Sequence, residues 1–135
     1  MTLKDNEREE MSKLYMEKAC ETLQEAKDKK EQYPNSSITR AYYSMFHAAH
    51  SAFMADGVVA VKSHEGVNNR FAEIFVKTGR FPKEIFKMMG ETERNRYKAE
   101  YNPKVRFSTQ EAEKYIENAE KFVEAVEKMI ARERE

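Results

Sequence analysis

The stretch STQEAEKYIENAEKFVEAVEKMI, residues 108–130, decides the fold class. Ser108-Thr109-Gln110-Glu111 is a capping-box sequence, in which a hydroxyl and a carboxylate three residues apart satisfy two backbone N–H groups at a helix start. Behind it Ala112, Tyr115, Ile116, Ala119, Phe122, Val123, Val126, Met129 and Ile130 recur at spacings of three and four, the repeat of one helix face. Working back from there, every other periodic stretch is also helical. Residues 5–32 place Met11, Leu14, Tyr15, Thr22, Leu23 and Ala26 on one face, and Pro34 ends that helix. Asn35-Ser36-Ser37 offers N-caps to a second helix that reaches Asp56 and is closed by Gly57. Its stripe of Ile38, Ala41, Tyr42, Met45, Phe46, Ala49, Ala52 and Phe53 is widened by Ala48 and Ala55, so this helix must be buried on more than one side.

Val58-Val59-Ala60-Val61 is a β-branched run without a second strand candidate to pair with, and it reads as a connecting loop. Ser63 caps a third helix carrying Val67, Phe71, Ile74 and Phe75, closed by Thr78-Gly79. Pro82 suits the first position of a fourth, which runs to Tyr101 with Gly90 as a weak point and is stopped by Asn102-Pro103. The expectation is all-α: an up-and-down antiparallel bundle of about five helices, residues 1–135 forming a single domain. Helices 1, 2, 4 and 5 make the core and helix 3 packs across one end.

With 135 residues the chain is long enough to bury a core without staples. Cys20 is its one cysteine, which excludes a disulfide framework and reads as inert packing. There is no apolar run of membrane-spanning length and the first residues are too polar for a signal peptide, so a cytoplasmic location is expected. Lys plus Arg equals Asp plus Glu at 24 each, yet residues 77–106 hold nine basic side chains against four acidic ones, a local excess of +5. Such a segment suits an anionic partner.

Within it lies Arg94-Asn95-Arg96-Tyr97-Lys98-Ala99-Glu100-Tyr101, dense in hydrogen-bonding groups that burial alone does not call for. Arg94, Asn95, Arg96, Glu100 and Tyr101 are the candidate ligand-binding residues, because planar guanidinium groups hold phosphate in a bidentate manner. The alternative for Arg94 and Arg96 is ion pairing with Glu91, Glu93 or Glu100 inside the bundle. His47, His50 and His64 show no metal-binding spacing, and no metal or other cofactor is expected.

The runs Ala41-Tyr42-Tyr43-Ser44-Met45-Phe46-His47-Ala48-Ala49, Lys62-Ser63-His64-Glu65-Gly66-Val67, Phe75-Val76-Lys77-Thr78-Gly79 and Arg96-Tyr97-Lys98-Ala99-Glu100-Tyr101 occur in an order similar to that of small stand-alone prokaryotic HEPN proteins. The resemblance covers about residues 10–130. It implies a dimerising helical bundle, often paired with a minimal nucleotidyltransferase as a toxin–antitoxin system. Many members are metal-independent ribonucleases whose motif is Arg, four to six residues, then His. Here that His is missing: depending on register, Ala99 or Tyr101 stands in its place. A phenol near pKa 10 is only ~0.1% ionised at pH 7, against an imidazole near 6.5, so Tyr101 is a poor base. Arg96, Tyr101 and His47 are the candidate catalytic residues if activity survives. The expected function is a homodimer that binds a nucleotide, RNA or a nucleotidyltransferase partner; the alternatives are an active ribonuclease toxin and a purely structural interaction subunit.

Overall fold

A computed structural model describes residues 4–58 and 61–134. It contains five α-helices: α1 Asp5–Lys29, α2 Pro34–Ala55, α3 His64–Phe71, α4 Lys83–Tyr101 and α5 Thr109–Glu133, with a π-helical turn at Ala72–Val76 after α3. The fold is an all-α bundle, with no strand among the described residues. None of the helices is long and apolar enough to cross a membrane.

The start of α5 carries the expected capping box: Ser108 Oγ accepts from Glu111 N at 3.1 Å, and Glu111 Oε1 accepts from Ser108 N at 3.0 Å. At the end of α2, Gly57 adopts φ +76°. Val58 N–H donates to Phe53 O and Gly57 N–H to Met54 O, the paired bonds of a Schellman ending. Val58 and Val61 pack half-buried against the core, while Val59 and Ala60 of that predicted loop lie outside the described residues.

Pairs of contacts fix the helix directions. Ser12 meets Ser51 and Ala26 meets Ser37, so α1 and α2 run antiparallel. Lys27–Glu120 and Lys30–Glu113 make α1 antiparallel to α5. Asn35 reaches the end of α4 at Ala99, while Tyr42 meets Arg96 one turn further in, so α4 is antiparallel to α2. Helix α2 is the centre, touching α1, α3, α4 and α5. Its one end packs Ile38 on Ala112 and Tyr115 of α5; at the other, Arg80 bridges Asp56 and Glu133.

Several expectations need correction. Pro34 is the first residue of α2 rather than the end of α1, which stops at Lys29. Asn35 does not cap α2: its Nδ2 donates to Ala99 O and Val105 O, and its Oδ1 accepts from Phe107 N at 2.9 Å, pinning the α4–α5 connection. Met11 and Leu14 are exposed, while Ser12, Ala19, Thr22 and Ala26 form the buried face of α1. Small residues let α1 lie close to α2, where Ser12 Oγ and Ser51 Oγ each donate to the other's carbonyl, at 2.9 and 2.7 Å. Cys20 is exposed, not packed, and desolvation followed by the nearby Glu127 pushes its thiol pKa up.

Helix α3 lies along α2 and α4 instead of across an end. His64, Val67 and Phe71 share one face, so its whole length enters the groove: His64 touches Tyr42, and Phe71 packs on Phe53 and Phe86. Helix α4 continues through Gly90 without a break, and Pro82 precedes it as the capping residue.

Candidate nucleic-acid interface

Two residues apart on an α-helix means about 200° of rotation, so neighbouring arginines of an Arg-x-Arg run cannot face the same way. Helix α4 obeys this. Met89, Thr92 and Arg96 turn inward, whereas Arg94, Tyr97, Lys98 and Tyr101 are exposed. The predicted site residues therefore divide between two faces.

On the inner face Arg96 is only 6% exposed. Its Cζ lies 5.0 Å from the ring centre of Tyr42 and 5.9 Å from that of Tyr43, and its Nη1 donates to Glu100 Oε2 at 2.8 Å. Burial works against the charge, but the bond to Glu100 and the surrounding oxygens keep the guanidinium pKa above its ordinary value. Its Nε is enclosed without a partner among the described residues. The expected alternative, ion pairing inside the bundle, thus describes Arg96 with Glu100.

Tyr42 extends this cluster. Its Oη is 2.8 Å from His64 Nδ1, and burial, reinforced by Glu93, raises the phenol pKa well above its usual value. His64 also packs against Tyr43, one of the two rings that Arg96 covers. Sequence reasoning gave His64 no role, because nothing local links it to Tyr42 or to Arg96. His47 sits elsewhere: burial lowers its pKa to about 4, helped by Lys18, His50 and Arg40, all on α1 or α2.

The outer face is of a different kind. Gly90, Arg94, Tyr97 and Tyr101 follow the 4-3-4 spacing of one stripe. Tyr97 and Tyr101 are each 61% exposed, with ring centres 4.9 Å apart. Exposed large rings in this number on one stripe are informative, since scattered polar residues would serve solubility better. The acids nearby are engaged: Glu91 with Lys114 at 2.8 Å, Glu84 with Lys87 at 3.6 Å, Glu100 with Arg96, and Glu93 with the Asn68 amide. Arg94, Lys98, Lys104 and Arg106 make no ion pair among the described residues, so the local excess of positive charge reaches the surface here. Asn95 turns back to its own helix, donating to Glu91 O at 2.9 Å. Where the stripe meets α3, a groove of about 530 Å³ opens beside Arg94. Among the described residues there is no cluster of His, Cys, Asp and Glu that could hold a metal ion.

The HEPN domain family profile matches residues 12–129. A UPF0332 protein of Thermotoga maritima is 32% identical over 112 residues, covering 82% of this chain and 84% of the relative. Another UPF0332 protein, from Gloeobacter violaceus, is 34% identical over 65 residues, 48% of this chain and 51% of that protein.

Proposed function

This chain belongs to the HEPN domain family, and from that premise we propose that it is a dimeric binding component that holds single-stranded RNA on the outer face of α4. The observation that carries this reading is the exposed Tyr97 and Tyr101 pair beside Arg94 and Lys98, cations without an ion-pair partner among the described residues. Aromatic platforms stack bases of any identity, while cations track the phosphates. Fluorescence anisotropy with a 12-nucleotide oligouridine should show binding that weakens with salt, log K falling against log salt with a slope of about −2 to −3 for three or four phosphate contacts. Salt-independent binding, or none, would leave the structural interaction subunit as the better account. A minimal nucleotidyltransferase in a toxin–antitoxin-like pair is the protein partner that the family resemblance suggests, and co-purification with the product of a neighbouring gene tests it.

The interface we propose for the dimer is the half-buried aromatic face of α2, where Tyr43, Phe46, His47 and His50 lie side by side, with Tyr15 of α1 stacked on His50 at 5.3 Å. Sedimentation at pH 7.5 and micromolar concentration should give twice the 15.9 kDa chain mass. Burial lowers the pKa of both His47 and His50, His47 to about 4. A base with a depressed pKa contributes its stability fully above the ordinary value near 6.5 and loses it as pH falls through the folded value. The fold of the chain should therefore lose stability between pH 6.5 and 4, taking an interface built on this face with it, and His47→Gln should flatten that response. A monomer at pH 7.5 refutes the assignment.

One observation favours a second reading, a metal-independent ribonuclease: His64 stands against the same tyrosine pair as Arg96, so an imidazole and a guanidinium pack on the same two rings even though the motif His is absent. A 2′-hydroxyl attack needs a group able to take a proton and a cation to stabilise the phosphorane charge. RNA cleavage in the presence of a chelator, lost in His64→Ala and kept in Tyr101→Phe, would establish it. Cleavage lost in Tyr101→Phe instead would make Tyr101 the reacting group.

A further inference from the structure

We propose that the groove between α3 and α4 is a base-reading subsite, in which Asn69 and Glu91 select a nucleobase carrying an exocyclic amino group. The inference rests on the RNA-binding reading of α4 and adds to it which base the protein prefers. The groove holds about 530 Å³, within the range of small-ligand sites, and is lined by Asn68, Asn69, Phe86, Lys87, Gly90, Glu91 and Arg94 among others. It continues the outer stripe of α4. A strand stacked on Tyr101 and Tyr97 meets Arg94 next, and Gly90 one turn beyond it at the groove floor.

The floor is open because Gly90 has no side chain: a Cβ there would meet only Arg94 Nη1, at 3.6 Å. Phe86, one turn earlier, is half-buried and lies parallel to Phe71, with ring centres 5.8 Å apart at 3°. Its ring gives the groove an aromatic wall. The two amides differ in what they have left to offer. Asn68 is committed, with Nδ2 donating to Glu93 at 2.5 Å and Oδ1 enclosed. Asn69 is exposed and makes no side-chain hydrogen bond among the described residues.

Lys114 holds Glu91 Oε1 at 2.8 Å and leaves Oε2 as an acceptor, which with Asn69 Oδ1 favours a base that presents N–H donors, while Asn69 Nδ2 can donate to the neighbouring ring nitrogen or carbonyl. An exocyclic amino group supplies two. Uracil presents a single N–H between two carbonyl oxygens, which the carboxylate repels. Lys87 and Arg94 at the rim suit the phosphate of the same nucleotide. Adenine, cytosine or guanine should therefore occupy the groove in preference to uracil.

The test uses oligouridine 12-mers with one central nucleotide changed to adenosine or to purine riboside, which is adenosine without its amino group. The full chain should bind the adenosine strand at least fivefold tighter than the other two. Asn69→Ala should erase that difference and leave oligouridine binding unchanged; Gly90→Leu, which fills the groove at an ordinary helical position, should erase it too. Equal binding of the adenosine and purine riboside strands overturns the subsite while leaving the α4 reading intact. So does a preference that survives Asn69→Ala. If no strand binds, the α4 reading falls and the subsite falls with it. A Gly90→Leu chain that fails to fold leaves the decision to Asn69→Ala, whose side chain is exposed.

Discussion

Phe71→Ala is expected to lower the unfolding free energy by about 3–5 kcal/mol, the range for truncating a fully enclosed aromatic residue. Phe71 is 0% exposed, and its ring meets Phe75 at 4.8 Å, Phe81 at 4.9 Å, Phe122 at 5.4 Å, Phe86 at 5.8 Å and Phe53 at 6.1 Å. Those partners come from α2, the π-helical turn, its exit, α4 and α5, so one ring ties these elements together. Several of the pairs are tilted or edge-on, the arrangements in which ring quadrupoles attract. The void would sit where α3 joins the π-helical turn, and the other anchors of α3 are Val67 in the core, His64 on Tyr42 and the Asn68 amide on Glu93. Loss of Phe71 should therefore loosen the wall that carries Asn68 and Asn69 before it melts α5. Urea unfolding followed by circular dichroism gives the magnitude, and a loss below 1 kcal/mol would mean that the aromatic cluster closes around the gap. Amide exchange should show α3 losing protection first.

The helices were legible wherever a local rule had no competitor. The capping box at Ser108 and Glu111 depends on residues three apart, and Gly57 on a conformation that glycine alone adopts cheaply, so both are written in their neighbours. The buried face of α1 was not legible. Met11 and Leu14 are the larger apolar groups, but the reciprocal bonds of Ser12 and Ser51 need the two backbones close together, and a small-residue face wins over the bulky one. Asn35 was misread for a related reason: its capping chemistry is correct, but its partners, Ala99, Val105 and Phe107, stand more than sixty residues away. The candidate site was legible as a segment and not as a surface. Counting charge over residues 77–106 finds the basic stretch, while the helical rotation that sends Arg96 inward and Arg94 outward decides which charges a ligand meets. His64 could not be placed at all before α3 was seen to lie along α2.

Tyr97→Ala combined with Tyr101→Ala should weaken oligouridine binding by roughly 100-fold, about 2.7 kcal/mol, since each base–aromatic stack contributes ~1–3 kcal/mol by alanine substitution. Both side chains are mostly in solvent, so the double variant should melt within about 0.5 kcal/mol of the parent chain. Stability and binding are thus separable on this face. They are not separable at Arg96, where truncation strips a buried cation from two tyrosine rings and leaves Glu100 without its partner, so weaker binding there would report on the fold. Arg94→Ala is the cleaner charge variant: Arg94 is exposed and has no ion pair to lose among the described residues, and the salt slope should become shallower by about 1. Tyr101→Phe keeps the ring and should keep most of the affinity, because stacking needs the π-face and not the hydroxyl. If Tyr101→Phe were as damaging as Tyr101→Ala, the hydroxyl would have to be contacting the strand directly, and α4 would be reading RNA by hydrogen bonding rather than by stacking.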